Sequence, residues 1–439
     1  MPDFIFRETG LADRLETFVP DHPKRVHFPD PAASAWIHRD GTELERELER
    51  VWGERGDVAA FRADEARVVS YLQDGYRSAT PPNVDTAVAR LGPNLTSLWI
   101  TGTAAELLDH FFTAERTKIY MGMTVTESGP VSLHEPYSAF TIPLMDSGSV
   151  FDGYYGFVQG GLWRLTEELG AICREAGITI RLGCRVEEVD LGRGEVRGDT
   201  STARFDHLVL ATDPLTAARL VGDSATITAV EGKRFLGTSG KLTLFFREPV
   251  RWKEDPAGAR DSTFRFIFAV DTVAEFGAAT LRVVSGEVDY QPGYIQVYCE
   301  GAAMRQLGLE ESFDRLTCFF KNVGLGRRGA ELPEVAEAVK RQVLEHVANP
   351  EACAWHRLLA PTDLQQLFLF PGGNLDHTML VGGQTFADRQ FAAHPGRRFY
   401  QFGRWPNGSY CGAGAYPCGS IAGTPGYMCA HGKVWRGDP

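Results

Sequence analysis

The residues best suited to chemistry lie late in the chain. They read Tyr410-Cys411-Gly412-Ala413-Gly414-Ala415-Tyr416-Pro417-Cys418-Gly419-Ser420, then Gly423-Thr424-Pro425-Gly426. Glycine-rich turns present backbone N–H groups without side-chain obstruction, and a following helix N-terminus adds to their positive potential, so such a run suits a phosphate. A single glycine pair needs no more than a turn to explain it; the ordered set points to a ligand. Upstream, Phe370-Pro371-Gly372-Gly373-Asn374-Leu375-Asp376-His377 ends in an imidazole able to act as acid or base near neutral pH. The competing assignment for His377 is a structural histidine satisfied by its neighbours. Asp363, after Pro361-Thr362, has the placing of a helix cap rather than a base.

Two tempting patterns carry less. Cys411, Cys418, Cys429 and His431 are metal-ligating types, but their spacing fits no usual zinc finger and no metal is expected. Gly324-Leu325-Gly326-Arg327-Arg328-Gly329 spells G-x-G-x-x-G. A dinucleotide fingerprint needs a buried strand before it and a helix starting on its last glycine. Here Lys321-Asn322 precedes it and Glu331-Leu332-Pro333 delays the helix, so it is not read as a nucleotide site.

The elements around these residues follow from periodicity. Leu162, Leu165, Leu169, Ile172 and Ala176 recur at helical spacing, with Arg164, Glu167, Glu168, Arg174 and Glu175 opposite, and Gly177 closes the helix. A strand over Ile178 to Leu182, a second over Val186 to Asp190 and a buried run from His207 to Leu210 are predicted next. This is an α/β segment that builds onto a parallel sheet. Between 240 and 300, Lys241–Phe246, Thr263–Val270, Thr280–Val284 and Tyr294–Tyr298 read as strands of an antiparallel sheet. Residues 333–347 read as a helix. Residues 126–160 are broken by Gly and Pro and filled with aromatics, among them Tyr154, Tyr155 and Phe157, which are candidates to line an apolar cleft.

The bulk numbers bound the function. A chain of 439 residues is expected to hold two or three packed units. Its net charge of −12 opposes nucleic acid and anionic lipid, since phosphate contacts need Lys and Arg. The eight cysteines are scattered without a C-x-x-C pair and read as reduced thiols. No apolar run approaches the ~18–20 residues that cross a bilayer, and the N-terminus lacks a secretory signal. A cytoplasmic location is expected.

Three stretches in order resemble the phytoene desaturase-like FAD oxidoreductases, nearest the pyridine nucleotide-disulfide oxidoreductase domain-containing branch. They are Tyr155-Gly156-Phe157-Val158-Gln159-Gly160-Gly161 with its helix, Gly177 through Val186-Glu187-Glu188-Val189 to Ala211-Thr212-Asp213-Pro214, and Leu359 through His377 to Gly426. The resemblance implies an α/β (α+β overall) fold: a Rossmann-like FAD domain built from discontinuous segments, plus a substrate domain with an antiparallel sheet and helices. Its expected parts are a substrate and helical region over 1–150, FAD-domain segments over 151–235 and 356–439, and the sheet-bearing substrate domain over 236–355.

The resemblance also assigns roles. Val186 matches the backbone contact to adenine. Gly412, Ala413 and Gly414, then Gly419, Ser420, Gly423, Thr424, Pro425 and Gly426, match the motif beside the pyrophosphate and ribityl chain. Gly160 and Gly161 match the segment that passes close to the flavin ring; Gln159 is a candidate to hydrogen-bond near it, and His377 a candidate to face the substrate or act as acid or base. Family members open with a strand, a G-x-G-x-x-G turn and a helix, and residues 1–60 contain none of these. The resemblance therefore implies a FAD-dependent dehydrogenase or desaturase acting on an apolar substrate of isoprenoid type, with the nucleotide-binding unit supplied by a second polypeptide or by sequence upstream of Met1. Amine oxidation and a flavin-free scaffold are the alternatives.

Overall fold

The computed structural model describes residues 1–20, 24–149, 156–199, 201–254, 264–285, 292–391 and 399–432. Tyr154 and Tyr155 lie outside the described residues.

A seven-stranded sheet organises the molecule, in the order Cys353–Leu359, Gly240–Phe246, Asp314–Phe320, Tyr294–Cys299, Phe264–Phe268, Lys24–His27, Ala35–Ile37. All neighbours run antiparallel except Phe264–Phe268 and Lys24–His27, which pair in parallel with Arg265 opposite Arg25 and Phe266 opposite Val26. Both faces are covered, and alternation along each strand divides its side chains between two cores. Phe264, Phe266, Phe268 and Tyr294 enter one core with the helices Gly41–Trp52, Val58–Arg77 and Ala104–Phe111. Leu242, Leu244, Ile267, Ile295, Val297 and Leu316 enter the other, against Val335, Val339 and Val343 of the Pro333–Leu344 helix.

A smaller unit carries the α/β character. Leu208–Leu210 pairs in parallel with Trp405–Tyr410, which also pairs antiparallel with Gln401–Phe402. Val186–Asp190, Glu195–Gly198 and Thr202–Arg204 form a separate antiparallel sheet. The helix expected from the leucine periodicity spans Trp163–Glu175.

Two predicted strands are corrected. Residues 280–284 are helical, inside Val273–Ser285, because Phe276, Ala279 and Thr280 share one buried face at helical spacing. The β-branched residues there satisfied a composition rule while the period was helical. Residues 178–182 form no strand: Ile178, Ile180 and Leu182 are exposed, and no described strand pairs with them. A strand needs a ladder partner for its backbone groups, and the hydrophobic run alone does not provide one.

Candidate functional site

The parallel pair Leu208–Leu210 and Trp405–Tyr410 ends in two turns, Ala211 to Pro214 and Cys411 to Gly414, which pack against each other. Cys411 N–H donates to the Leu210 carbonyl at 3.0 Å. A Cβ on Gly412 would sit 2.5 Å from the Thr212 carbonyl oxygen, and one on Gly414 would sit 2.8 Å from the Tyr410 hydroxyl. The close approach of the two turns therefore dictates both glycines. Gly419 is hemmed in likewise by Ala413.

Two residues that the sequence reading passed over bind this region together. Arg389 is buried and donates to the carbonyls of Asp376 at 2.7 Å, Ala413 at 3.0 Å and Ala415 at 3.2 Å, and to Thr378 Oγ1 at 3.0 Å. A guanidinium offers five donors in a rigid fork, which suits stitching several carbonyls. Asp376 Oδ1 accepts from the N–H of Ser420 at 2.9 Å and from its hydroxyl at 3.1 Å. Neither belongs to a periodic element, so only the isolated charges in a glycine-rich stretch marked them.

His377 adjoins this hub. It has a left-handed backbone (φ 62°), is buried, and lies 5.1 Å from the Phe370 ring. Burial holds its pKa below the usual histidine value, so the ring is neutral at pH 7. Asp363 accepts from the N–H groups of Ala360 and Gly329, so it caps the Pro361–Phe368 helix from within its first turn. Gly329 is a glycine because a Cβ there would meet the Leu358 carbonyl oxygen at 2.5 Å. The rest of the G-x-G-x-x-G run is exposed and follows an antiparallel strand.

The Thr424–His431 helix starts at Gly423, which is left-handed (φ 80°) and gives no side-chain cap. The Asp3–Glu8 helix links this end to the earlier segment. Met1 and Ile5 touch the Gly423 position, and Phe6 clusters with Val158 and Leu165. Gly160 and Gly161 both have positive φ, 79° and 113°. Gln159 is engaged by protein: its Nε2 donates to Glu16 Oε2 and to the Leu307 carbonyl, each at 2.9 Å. It anchors this segment to the Glu300–Gln306 helix end. Val186 opens its strand on the surface.

A cavity of about 600 Å³ opens between the Val58–Arg77 helix, the Thr141–Ser147 helix and the sheet, lined by Lys24, Arg62, Glu65, Tyr120, Asp146 and Phe266 among others. Arg62 Nη1 lies 2.6 Å from Glu65 Oε2 and 3.9 Å from Asp146 Oδ2. Burial raises both carboxyls, Glu65 to about 7, and lowers Lys24 to about 8. Gly148, between the lining residues Asp146 and Ser149, packs against the glycine-rich segment: a Cβ on it would sit 2.6 Å from the Ile421 side chain. None of these residues stood out in the sequence.

Among the described residues one group gathers three metal-ligating types: His27, Glu254 and His346. Arg265 Nη1 stands 3.2 Å from His27 Nε2 and 3.8 Å from Glu254. Its guanidinium already supplies positive charge to the cluster. The Cys411, Cys418, Cys429 and His431 set forms no such group, and His431 Nδ1 faces the Tyr427 carbonyl.

Residues 4–291 match the family model of flavin containing amine oxidoreductases. The chain belongs to the flavin-containing amine oxidoreductase family. Solved structures agree on the fold. Cyclohexylamine oxidase from Brevibacterium oxydans IH-35A is 12% identical with a TM-score of 0.54, over 98% of this chain and 84% of that one. Putrescine oxidase bound to putrescine is 13% identical with a TM-score of 0.56, over 98% and 83%. No curated protein matches significantly. Membership makes this chain a FAD-dependent oxidoreductase.

The local chemistry fits that flavin family's cofactor. Asp376 Oδ2, His377 Nδ1 and Thr424 Oγ1 are buried without a hydrogen-bond partner among the described residues. The uncapped N-terminus of the Thr424–His431 helix lies beside Thr424. Unpaired buried polar atoms are costly; a carboxylate oxygen is met by a hydroxyl and a helix N-terminus attracts anions, so this edge suits a cofactor that carries both hydroxyl and phosphate groups.

Proposed function

We propose that this flavin-containing amine oxidoreductase removes hydrogen from a largely apolar substrate, in the manner of a dehydrogenase or desaturase, and that a second polypeptide completes its nucleotide site. FAD, when bound, supplies a two-electron acceptor for hydride from a substrate carbon. Thr424, Ser420 and the turn at Gly423 would hold it on one side, with Gly160 and Gly161 passing near the ring. The cavity walls hold the substrate's apolar body and exclude water. In this reading His377, buried and with Nδ1 unpartnered among the described residues, would serve as the acid–base group.

The observation that carries the partner is the apolar surface from 162 to 186. Leu162 is 67% exposed, Trp163 60% and Leu182 84%, and Ile178 and Ile180 are exposed beside them. The Trp163–Glu175 helix has no fully buried residue. Leu208–Leu210, an all-apolar strand of a parallel pair, stands at the edge of its sheet. Parallel strands are ordinarily covered on both sides, and open edges and large apolar patches mark association. A strand–turn–helix nucleotide unit has the shape to cover these elements.

Amine oxidation is the second reading, favoured by the family match itself. The visible absorption spectrum of the purified chain tests the proposal, alone and co-expressed with the product of its upstream neighbour. Flavin bands are expected only in the co-purified complex. Absence of flavin from both preparations, with FAD added, would overturn it. An oxidase assay with primary amines separates the two substrate classes.

A further inference from the structure

We propose that Cys411 and Cys429 form a hydroperoxide-reactive dithiol, with Cys411 the attacking thiol and Cys429 the resolving one, and that their disulfide ties the Gly412 turn to the Thr424–His431 helix. Neither the substrate nor the second polypeptide of the proposed function enters this chemistry.

Two elements bring the thiols together. Cys411 follows the Trp405–Tyr410 strand, and Cys429 lies in the Thr424–His431 helix. Tyr400 joins the two: its carbonyl accepts from the Tyr410 N–H at 2.8 Å, and its hydroxyl donates to Met428 Sδ at 3.4 Å. Beside these contacts the two cysteine side chains hydrogen-bond to each other, with Cys429 as donor. Ser409 hydrogen-bonds Cys429 from the strand, and its Oγ stands 2.9 Å from His207 Nε2. A disulfide requires its two sulfurs to meet, and these already touch.

The pair is asymmetric, which assigns the roles. Cys411 is half-buried and Cys429 is buried. The hydrogen bond from Cys429 favours the Cys411 thiolate and holds that thiol below its usual pKa despite burial. The same bond, with burial, pushes Cys429 upward. The thiolate is the nucleophile, and an accessible low-pKa cysteine beside a second thiol is the arrangement that peroxides oxidise selectively.

The Cys411 thiolate attacks the outer oxygen of a hydroperoxide and breaks the O–O bond. Cys411 becomes a sulfenic acid, and the departing alkoxide or hydroxide takes a proton from water. Cys429 Sγ then attacks the Cys411 sulfur, and the displaced hydroxide leaves as water with the Cys429 proton. The thiols lose two electrons and two hydrogens; the hydroperoxide is reduced to an alcohol and water, or to water alone from hydrogen peroxide. The bond closes a ring that contains Ser420, Gly423 and Thr424, and such a ring has fewer conformations open to it.

The test uses the full chain, hydrogen peroxide as the probe and mass mapping of peptides from chymotrypsin, with fragmentation to tell Cys411 from Cys418. Before oxidation, iodoacetamide should modify Cys411 about tenfold or more faster than Cys429. After peroxide, peptides joined through Cys411 and Cys429 should appear, two hydrogen atoms lighter than their sum, and dithiothreitol should separate them. Cys429→Ala should leave Cys411 as a sulfenic acid that dimedone traps, and Cys411→Ser should leave Cys429 reduced. The map of the parent chain decides the matter where a variant fails to fold. In the disulfide form, backbone amides of residues 412–423 should exchange hydrogen about threefold or more slowly than in the reduced form. Joining of Cys411 to any other cysteine, oxidation of the exposed Cys184 with this pair still reduced, faster alkylation of Cys429, or exchange in 412–423 unchanged by the disulfide would overturn the inference. Because no flavin signal is read, failure here leaves the absorption test of the proposed function standing on its own.

Discussion

Asp376 accepts both the backbone N–H and the hydroxyl of Ser420, 44 residues away in sequence, through one carboxylate oxygen. The second oxygen is buried and has no partner among the described residues. One oxygen thus fixes the C-terminal turn to the His377 turn, and the other is left for a partner that the described residues do not supply. Asp376→Ala should lower stability by about 2–3 kcal/mol, the usual scale for hydrogen bonds to a charged group. Urea denaturation measures that loss. FAD retention in the complex should fall with it, whereas Ser420→Ala should cost only about 1 kcal/mol, since the backbone bond survives.

The apolar surface gives the opposite signature. Leu162→Lys and Leu182→Glu replace side chains that meet mostly solvent. Surface changes of this kind usually stay within about 0.5 kcal/mol. The double variant should unfold at the same denaturant concentration as the parent chain. It should also run as a cleaner monomer on size-exclusion chromatography and fail to co-purify with a partner. Unchanged co-purification would show that the covering unit sits elsewhere.

The difference between these two regions explains what the sequence made legible. Leu165, Leu169 and Ile172 repeat at helical spacing, so their helix was readable without any tertiary knowledge. Ile178 to Leu182 had the composition of a strand, but a strand needs a neighbouring strand to pair with, and that partner was not readable. Thr280 to Val284 misled for a related reason, because β-branched residues dominate a window that Phe276 and Ala279 bury as a helix. The cavity was invisible. Arg62 and Glu65 read as an ordinary surface pair at helical spacing, and nothing local shows that Asp146 and Lys24 meet them. Arg389 escaped notice because its partners are backbone carbonyls, which carry no residue-type signal.

Glu65 makes a pH prediction with a definite sign. Its carboxyl is raised in the folded chain to about 7, from 4.5. The unfolded chain releases that proton at lower pH, so it binds fewer protons than the native state between those values. Stability therefore falls as pH rises from about 4.5 to about 7, by up to roughly 3 kcal/mol, and levels off above. Glu65→Gln should abolish most of this slope. Thermal unfolding at pH 5, 6, 7 and 8 measures it. A parent chain whose stability rises steadily over that window, with no change in slope in the variant, would contradict a raised Glu65.

Two glycines separate packing from cofactor contact. Gly412 is forced: a Cβ there would meet the Thr212 carbonyl at 2.5 Å. Gly412→Ala should therefore destabilise by several kcal/mol, or prevent folding, through a clash with backbone that has no room to move. Gly426 is in the Thr424–His431 helix, and nothing lies within 4 Å of a Cβ built on it. In a helix, Gly→Ala ordinarily gains up to about 1 kcal/mol. By protein packing alone Gly426→Ala should thus raise the melting temperature. If the cofactor passes over this turn, the same methyl group enters its space, and FAD should bind at least tenfold more weakly to a more stable protein. That pairing of effects cannot arise from general unfolding. A Gly426→Ala chain that is more stable and binds FAD as tightly as the parent would move the cofactor away from the helix N-terminus, toward the Ser420 turn.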